Sequence, residues 1–153
     1  MSSSAAAPIL LLEDDRVTAT LITQLLAAQQ ITNPVRVMRS GAAALEYFDR
    51  VADGAEPLPV LCVLDLSLPD VSGLDVLRAI RAAPALAAAP VIMLTGSSED
   101  ADVSCAYALG IDAYLVKPAG LHGLPDVIRE LRLPHELIAR DAPGSTGPGD
   151  HRA

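Results

Sequence analysis

Three short segments of the chain contain apolar residues with no charged or hydroxyl side chain between them, at residues 8–12, 60–64 and 91–94. This pattern is typical of strands that are buried on both faces of a parallel sheet. Two further short segments, 35–38 and 113–116, are preceded by turn-forming residues and have the length of strands. The pattern therefore predicts five strands.

Apolar residues recur at helical spacing in the stretches between and after these strands. The predicted helices lie at residues 16–29, 42–52, 74–83, 98–110 and 124–133. Ser40 can cap the second helix and Gly110 can end the fourth, whereas the helix breakers in residues 119–125 predict a late start for the last. Strand and helix alternate five times, which predicts an α/β fold with a parallel sheet covered by helices on both faces.

The chain of 153 residues is predicted to form one domain, at residues 8–133. Residues 1–7 are predicted to be a disordered N-terminus, and residues 134–153, rich in Pro and Gly, a flexible tail. Hydrophobic residues make up 51% of the chain but aromatic residues only 3%. The core must therefore be built from aliphatic side chains.

The net charge of −8 argues against a nucleic-acid surface, which needs a basic patch, and suits a protein that meets a cation or a basic partner. The N-terminal residues lack the basic start and long apolar stretch of a signal peptide, and no run approaches the ~20 apolar residues of a membrane span. Cys62 and Cys105 belong to no metal-binding cluster and are predicted to be packed side chains in a reducing compartment. We expect a cytoplasmic protein without membrane contact.

Polar side chains follow four of the predicted strands directly. Glu13 and Asp14 follow the first strand, Asp65 the third, Thr95 the fourth and Lys117 the fifth. In an open parallel sheet, ligands bind beyond the carboxyl ends of the strands. We therefore expect three carboxylates, one hydroxyl and one ammonium group to converge on a single crevice.

Three carboxylates in close quarters repel one another and favour the binding of a cation. Mg²⁺ takes oxygen ligands and retains several waters, so one or two direct carboxylates suit it. An ammonium and a hydroxyl beside them can bind the oxygens of a phosphoryl group. The combination predicts that Asp65 is the covalent acceptor and forms an aspartyl-phosphate.

Four segments of the sequence resemble the receiver domain of two-component response regulators, namely residues 11–15, 63–73, 91–96 and 114–118. The resemblance covers residues 8–133, and the intervals between the segments are those of the family. It implies a doubly wound, flavodoxin-like sheet with strand order 2-1-3-4-5. Residues 104–117 are also similar to stand-alone receivers that are paired with bacterial phytochromes.

The resemblance assigns roles at the metal site position by position. Asp65 corresponds to the phosphoacceptor and Asp14 to a direct Mg²⁺ ligand. Glu13 corresponds to a second acidic residue that reaches the metal through water. Ser67 would offer its backbone carbonyl to the metal.

The resemblance also assigns the residues that read the phosphate. Thr95 and Lys117 would bind phosphoryl oxygens, and a cis peptide bond joins Lys117 to Pro118 in this family. Tyr114 corresponds to the aromatic switch residue that turns inward after the Thr hydroxyl has moved towards the phosphate.

Plainer readings exist for most of these residues. The acids after the first strand could decorate a helix N-terminus, and Asp15 is predicted to be only a cap. Asp65 could form a turn, and Thr95 could satisfy one as a strand-end hydroxyl. A single aromatic residue such as Tyr114 often serves only in packing. The three histidines have no catalytic partner and are predicted to lie at the surface.

Together these features predict a single-domain response regulator, not an enzyme, that accepts phosphate from a sensor histidine kinase or a histidine phosphotransfer protein. Its output would be contact with a downstream protein through the fourth helix, fifth strand and fifth helix, a face that could also form a homodimer. The alternative is a pseudo-receiver that acts as a constitutive interaction or dimerisation module. A phosphatase of the haloacid type is a weaker alternative, because such enzymes need Asp-x-Asp and Ser67 stands at the second position.

Overall fold

Five parallel strands form one sheet with the order β2-β1-β3-β4-β5 in the structure, a computed structural model that describes residues 7–131. The strands are β1 (Ile9–Leu12), β2 (Val35–Met38), β3 (Leu61–Leu64), β4 (Val91–Thr95) and β5 (Ala113–Val116). The helices are α1 (Arg16–Ala28), α2 (Gly41–Ala52), α3 (Gly73–Ala82), α4 (Asp100–Ala108) and α5 (Ala119–Glu130). The predicted fold class and strand order are confirmed. Apart from Ala7, the predicted disordered N-terminus and tail lie outside the described residues.

Alternate residues of the central strands point to opposite faces, so the sheet has a core on each side. The face under α1 and α5 is lined by Ile9, Leu11, Leu61, Val63, Ile92 and Leu94. The face under α2, α3 and α4 is lined by Leu10, Leu12, Cys62, Leu64, Val91 and Met93. Cys62 is the packed side chain that was predicted, and burial raises the pKa of its thiol to about 12. Aliphatic side chains thus bury the central strands on both faces of the sheet.

Hydrogen-bonding side chains fix the starts of three helices. Asp15 accepts a hydrogen bond from the Thr18 amide at the start of α1, as predicted for a cap. Ser40 caps α2, and Ser72 caps α3. All three helices begin on the carboxyl side of the sheet, so these caps also position the loops that surround the strand ends. Among the described residues, no helix is long and apolar enough to cross a membrane.

The predicted late start of the last helix is wrong, because α5 begins at Ala119 and not at Leu124. Gly120 is required where α5 approaches β5, since a Cβ there would lie 2.8 Å from Leu115 Cβ. Pro125 lies inside the helix and is buried. Burial of the apolar side of α5 outweighs the poor helix propensity of these residues. The helix therefore starts immediately after Lys117-Pro118.

A cavity of about 700 Å³ opens at the other end of the sheet, between α3, α4 and the residues that precede β4. Arg81 and Asp112 line it, and the Arg81 guanidinium donates hydrogen bonds to the carbonyl oxygens of Ala87, Ala89, Leu109 and Gly110. These bonds use four of the five N–H donors of the guanidinium. The cavity is therefore a structural joint between α3 and α4, far from the predicted site.

Candidate functional site

Backbone hydrogen bonds continue the sheet by one residue beyond the strand ends and so fix the predicted site residues. The Asp65 amide donates to the Leu12 carbonyl at 3.0 Å, which places Asp65 beside Glu13. On the other side, the Lys117 amide donates to the Thr95 carbonyl at 2.8 Å. The parallel register thus brings residues from four strands to one edge, as the sequence predicts.

Lys117 joins the acidic residues of β1 and β3. Its Nζ lies 2.8 Å from Glu13 Oε1 and 3.0 Å from Asp65 Oδ2. The carboxylates are almost fully buried, with side-chain exposures of 2% and 6%. The predicted cis peptide bond between Lys117 and Pro118 is present. Lys117 is also the only lysine in the chain, a feature that the sequence alone displays.

The acidic cluster fits a divalent cation. Glu13, Asp14 and Asp65 each offer a carboxylate oxygen, and these oxygens lie within 4.8 Å of one another. Asp14 is exposed, whereas the other two residues are buried. Hard oxygen donors with an opening to water are the environment that Mg²⁺ and Mn²⁺ prefer. The predicted metal-binding carboxylates are therefore together.

The loop after β3 holds the second oxygen of Asp65. The Ser67 amide donates a hydrogen bond to Asp65 Oδ1 at 3.0 Å, while Lys117 binds Oδ2. Both oxygens of the carboxylate are thus engaged, which fixes its orientation. The predicted metal contact of the Ser67 carbonyl stays a prediction.

Thr95 carries a buried hydroxyl group without a partner. Its exposure is 0%, and Oγ1 is the one buried side-chain oxygen or nitrogen in residues 7–131 that makes no hydrogen bond. Leaving a buried hydroxyl unpaired costs about 1–3 kcal/mol. The plainer reading, in which Thr95 satisfies a turn, does not fit this geometry. An added oxygen acceptor, such as a phosphoryl oxygen, would satisfy the group.

Tyr114 ties β5 to the loop after β4. Its hydroxyl donates to the Ser97 carbonyl at 2.9 Å, and Ser97 Oγ donates to Asp102 Oδ2 at 2.6 Å. The side chain is half-buried against the core, and burial raises its pKa. Tyr114 therefore does pack, and its role as a switch stays a prediction. His122 is exposed as predicted, and the other two histidines lie outside the described residues.

Burial and hydrogen bonding act in opposite directions at the centre of the site. Burial raises the pKa of Glu13, although the hydrogen bond from Lys117 works against this. Burial alone would lower the pKa of Lys117, but the hydrogen bonds to Glu13 and Asp65 outweigh it and raise the value. The ammonium is thus held in its charged form, while the Glu13 carboxylate is ionised at an energetic cost.

This cost predicts that Glu13→Gln stabilises the metal-free protein at neutral pH. A carboxyl whose pKa is raised by folding stabilises the fold below its unfolded pKa near 4.5 and loses that contribution as the pH rises through the folded pKa. The variant should therefore match the wild type below pH 4.5 and exceed it in stability at pH 7. Urea unfolding across this pH range measures the difference.

The exposed Glu46 provides a matched control for this experiment. It carries the same carboxyl on the surface of α2, so Glu46→Gln removes the same charge without changing a buried site. We expect no pH-dependent gain from that variant. A Glu13→Gln protein that is less stable than the wild type at pH 7 would contradict the electrostatic account.

Comparison with known proteins identifies the family. Residues 9–129 match the response regulator receiver domain. The probable methanogenesis regulatory protein FilR2 of Methanothrix harundinacea is 36% identical over 124 residues, which are 81% of this chain and 80% of that protein. Response regulator Rcp1 of Synechocystis sp. is 34% identical over 117 residues, which are 76% of this chain and 80% of that protein.

Solved structures of response regulators are similar to this chain in both fold and sequence. The bacteriophytochrome response regulator RtBRR superposes with a TM-score of 0.75 at 38% identity, covering 92% of this chain and 86% of that one. The Mn²⁺-bound form of Rcp1 superposes with a TM-score of 0.73 at 30% identity, covering 88% and 99%. The acidic cluster, Lys117 and Thr95 lie at the strand ends of the same fold. The chain therefore belongs to the response regulator receiver domain family.

Proposed function

We propose that the protein is a phosphorylation-dependent regulator in which Asp65 accepts a phosphoryl group from a phosphohistidine. The donor would be a sensor histidine kinase or a histidine phosphotransfer protein. The observation that carries this proposal is the contact of 3.0 Å between Lys117 Nζ and Asp65 Oδ2 inside a cluster of acidic residues. A pseudo-receiver has no need for a half-buried ammonium at its acceptor position.

The transfer can be written with this chain's own groups. A carboxylate oxygen of Asp65 attacks the phosphorus, the oxygen–phosphorus bond forms, and the phosphorus–nitrogen bond breaks with its electron pair on the imidazole nitrogen. Lys117 and the unpaired Thr95 hydroxyl bind the transferred oxygens. Mg²⁺ held by Glu13, Asp14 and Asp65 would supply further charge neutralisation when it is bound.

Phosphorylation would then change which proteins the regulator contacts. Binding of a phosphoryl oxygen by Thr95 would alter the loop that Tyr114 and Ser97 hold, and so the surface formed by α4, β5 and α5. This surface would bind a downstream protein or a second copy of the chain. The receiver takes part only in its own phosphorylation and dephosphorylation, and a cytoplasmic location stays a prediction.

The direct test is phosphorylation by acetyl phosphate with Mg²⁺, followed by intact mass spectrometry. Wild type should gain one phosphoryl group that is lost at alkaline pH, and Asp65→Asn should gain none. Asp53→Asn, at an exposed position after α2, should react like wild type. If the wild type is not modified, and beryllofluoride also causes no change in its NMR spectrum, the proposal fails. The alternative, a pseudo-receiver, is then favoured.

A further inference from the structure

Asp70 joins two elements that flank the site. It lies in the loop between β3 and α3, and its carboxylate accepts hydrogen bonds from the first two amides of α2. Oδ1 lies 2.9 Å from the Gly41 nitrogen, and Oδ2 lies 2.9 Å from the Ala42 nitrogen. A carboxylate at a helix N-terminus is favoured by the unpaired amides and by the helix dipole. These bonds hold the pKa of Asp70 below its usual value.

Two further contacts restrain the same loop. A Cβ added to Gly41 would lie 2.7 Å from Val71 Cβ, so α2 and the loop are in close contact at this point. The Gly73 amide donates to the Leu66 carbonyl at 2.9 Å, which joins the two ends of the loop to each other. Asp70 and Val71 thus hold this closed loop against the start of α2.

This loop carries the amide that orients the acceptor carboxylate. Ser67 lies in it, and the Ser67 amide donates to Asp65 Oδ1 at 3.0 Å. On its other side, α2 follows β2, whose Met38 carbonyl accepts from the Glu13 amide at 3.0 Å. Asp70 thus connects the segment beside Asp65 with the segment beside Glu13.

We propose that Asp70 is a positioning residue for the acceptor site: its two hydrogen bonds to α2 hold the loop of Ser67 where it orients Asp65 and leaves the carboxylates ready for a cation. This inference rests on the proposed function, since it assigns Asp70 a part in the same reaction. Asp70 does not touch the acceptor carboxylate. Its effect passes through the loop backbone and through α2.

Ser40 offers a matched control, because its side chain caps the same helix through an amide of α2 itself. Its Oγ accepts a hydrogen bond from the Ala43 amide at 3.1 Å. Ser40→Ala and Asp70→Ala therefore each remove a cap from the start of α2, but only Asp70→Ala releases the loop. Any effect that the two variants share reflects the stability of the helix, and any difference reflects positioning.

Three measurements separate the variants. Amide hydrogen exchange of Ser67, followed by NMR without metal, should be faster in Asp70→Ala and unchanged in Ser40→Ala. Mg²⁺ binding and the rate of phosphorylation by acetyl phosphate should each fall about tenfold in Asp70→Ala, as for groups that orient metal ligands, and stay near the wild-type value in Ser40→Ala. Asp70→Asn keeps one acceptor oxygen and should lie between the two, which provides a second variant if Asp70→Ala does not fold.

Equal behaviour of Asp70→Ala and Ser40→Ala in all three measurements would overturn the inference. That result differs from failure of the proposed function, in which wild type itself takes up no phosphate. Faster exchange at Ser67 with unchanged Mg²⁺ binding would also overturn it, because the loop would then move without consequence for the site.

Discussion

Replacing Lys117 with alanine is expected to lower the free energy of unfolding of the metal-free protein by about 3 kcal/mol and, at the same time, to tighten the binding of Mg²⁺. The stability falls because two buried carboxylates lose the ammonium that lies 2.8 and 3.0 Å from them. The affinity rises, by about tenfold, because the ammonium and the cation compete for the same oxygens and repel each other. Urea unfolding without metal and titration calorimetry with Mg²⁺ measure the two effects.

Despite its tighter binding of Mg²⁺, the Lys117→Ala protein should not undergo the conformational change that a bound phosphoryl group causes. With Mg²⁺ and beryllofluoride, wild type is expected to show NMR shifts at Thr95 and Tyr114, and the variant is expected to show none. Arg39→Ala is the control, because its guanidinium donates to the backbone carbonyl of Asp14, at 3.3 Å, and forms no ion pair with Glu13 or Asp65. Weaker Mg²⁺ binding by Lys117→Ala would show that the ammonium supports the cation site instead of competing with it.

Gly73→Ala is expected to destabilise the protein by about 3 kcal/mol and to abolish phosphorylation of Asp65. An added Cβ would lie 2.1 Å from the Asp65 carbonyl oxygen and 2.8 Å from Leu66 Cα. Both are backbone atoms of the loop that leaves β3, so they cannot yield as a flexible side chain would. Relief of the overlap must displace either α3 or the acceptor itself. Thermal unfolding and mass spectrometry after acetyl phosphate treatment give the two readouts.

The chain contains a control for this substitution at another strand end. Gly96 follows Thr95, and an added Cβ there would meet nothing within 4 Å. Gly96→Ala should therefore change the free energy of unfolding by less than about 0.5 kcal/mol and leave phosphorylation intact. If Gly73→Ala were as stable and as reactive as Gly96→Ala, the close approach of α3 to the loop after β3 would not be needed for folding or for phosphorylation.

The sequence was sufficient for the sheet and for the residues at its carboxyl edge, because buried strands have an unmistakable pattern and parallel strands end together. It was misleading where tertiary contacts override local preference. Gly120 and Pro125 disfavour a helix, yet α5 runs through both, since the glycine admits close contact with Leu115 and the apolar side of the helix is buried. Propensity describes an isolated segment and cannot include that packing.

Contacts between segments that are distant in the chain could not be predicted from the sequence. Asp70 follows Pro69 in the sequence, and only the fold shows that its partners are amides of α2. Arg81 lies within the predicted third helix, and only the fold shows that its carbonyl partners lie in two other segments. The unpaired state of the Thr95 hydroxyl likewise depends on what surrounds it. An Asp that follows Pro in a loop beside the acceptor is the one signal that could have indicated Asp70.

Because Lys117 is the only lysine, its amino group is a natural single-site probe. Protein grown with isotopically labelled lysine would give one side-chain NMR signal, and its assignment would need no mutagenesis. The shift of that signal would report whether the ammonium faces carboxylates, a cation or a phosphoryl group. The occupancy of the site could thus be followed through the Lys117 signal of the purified protein, in which no second lysine overlaps it.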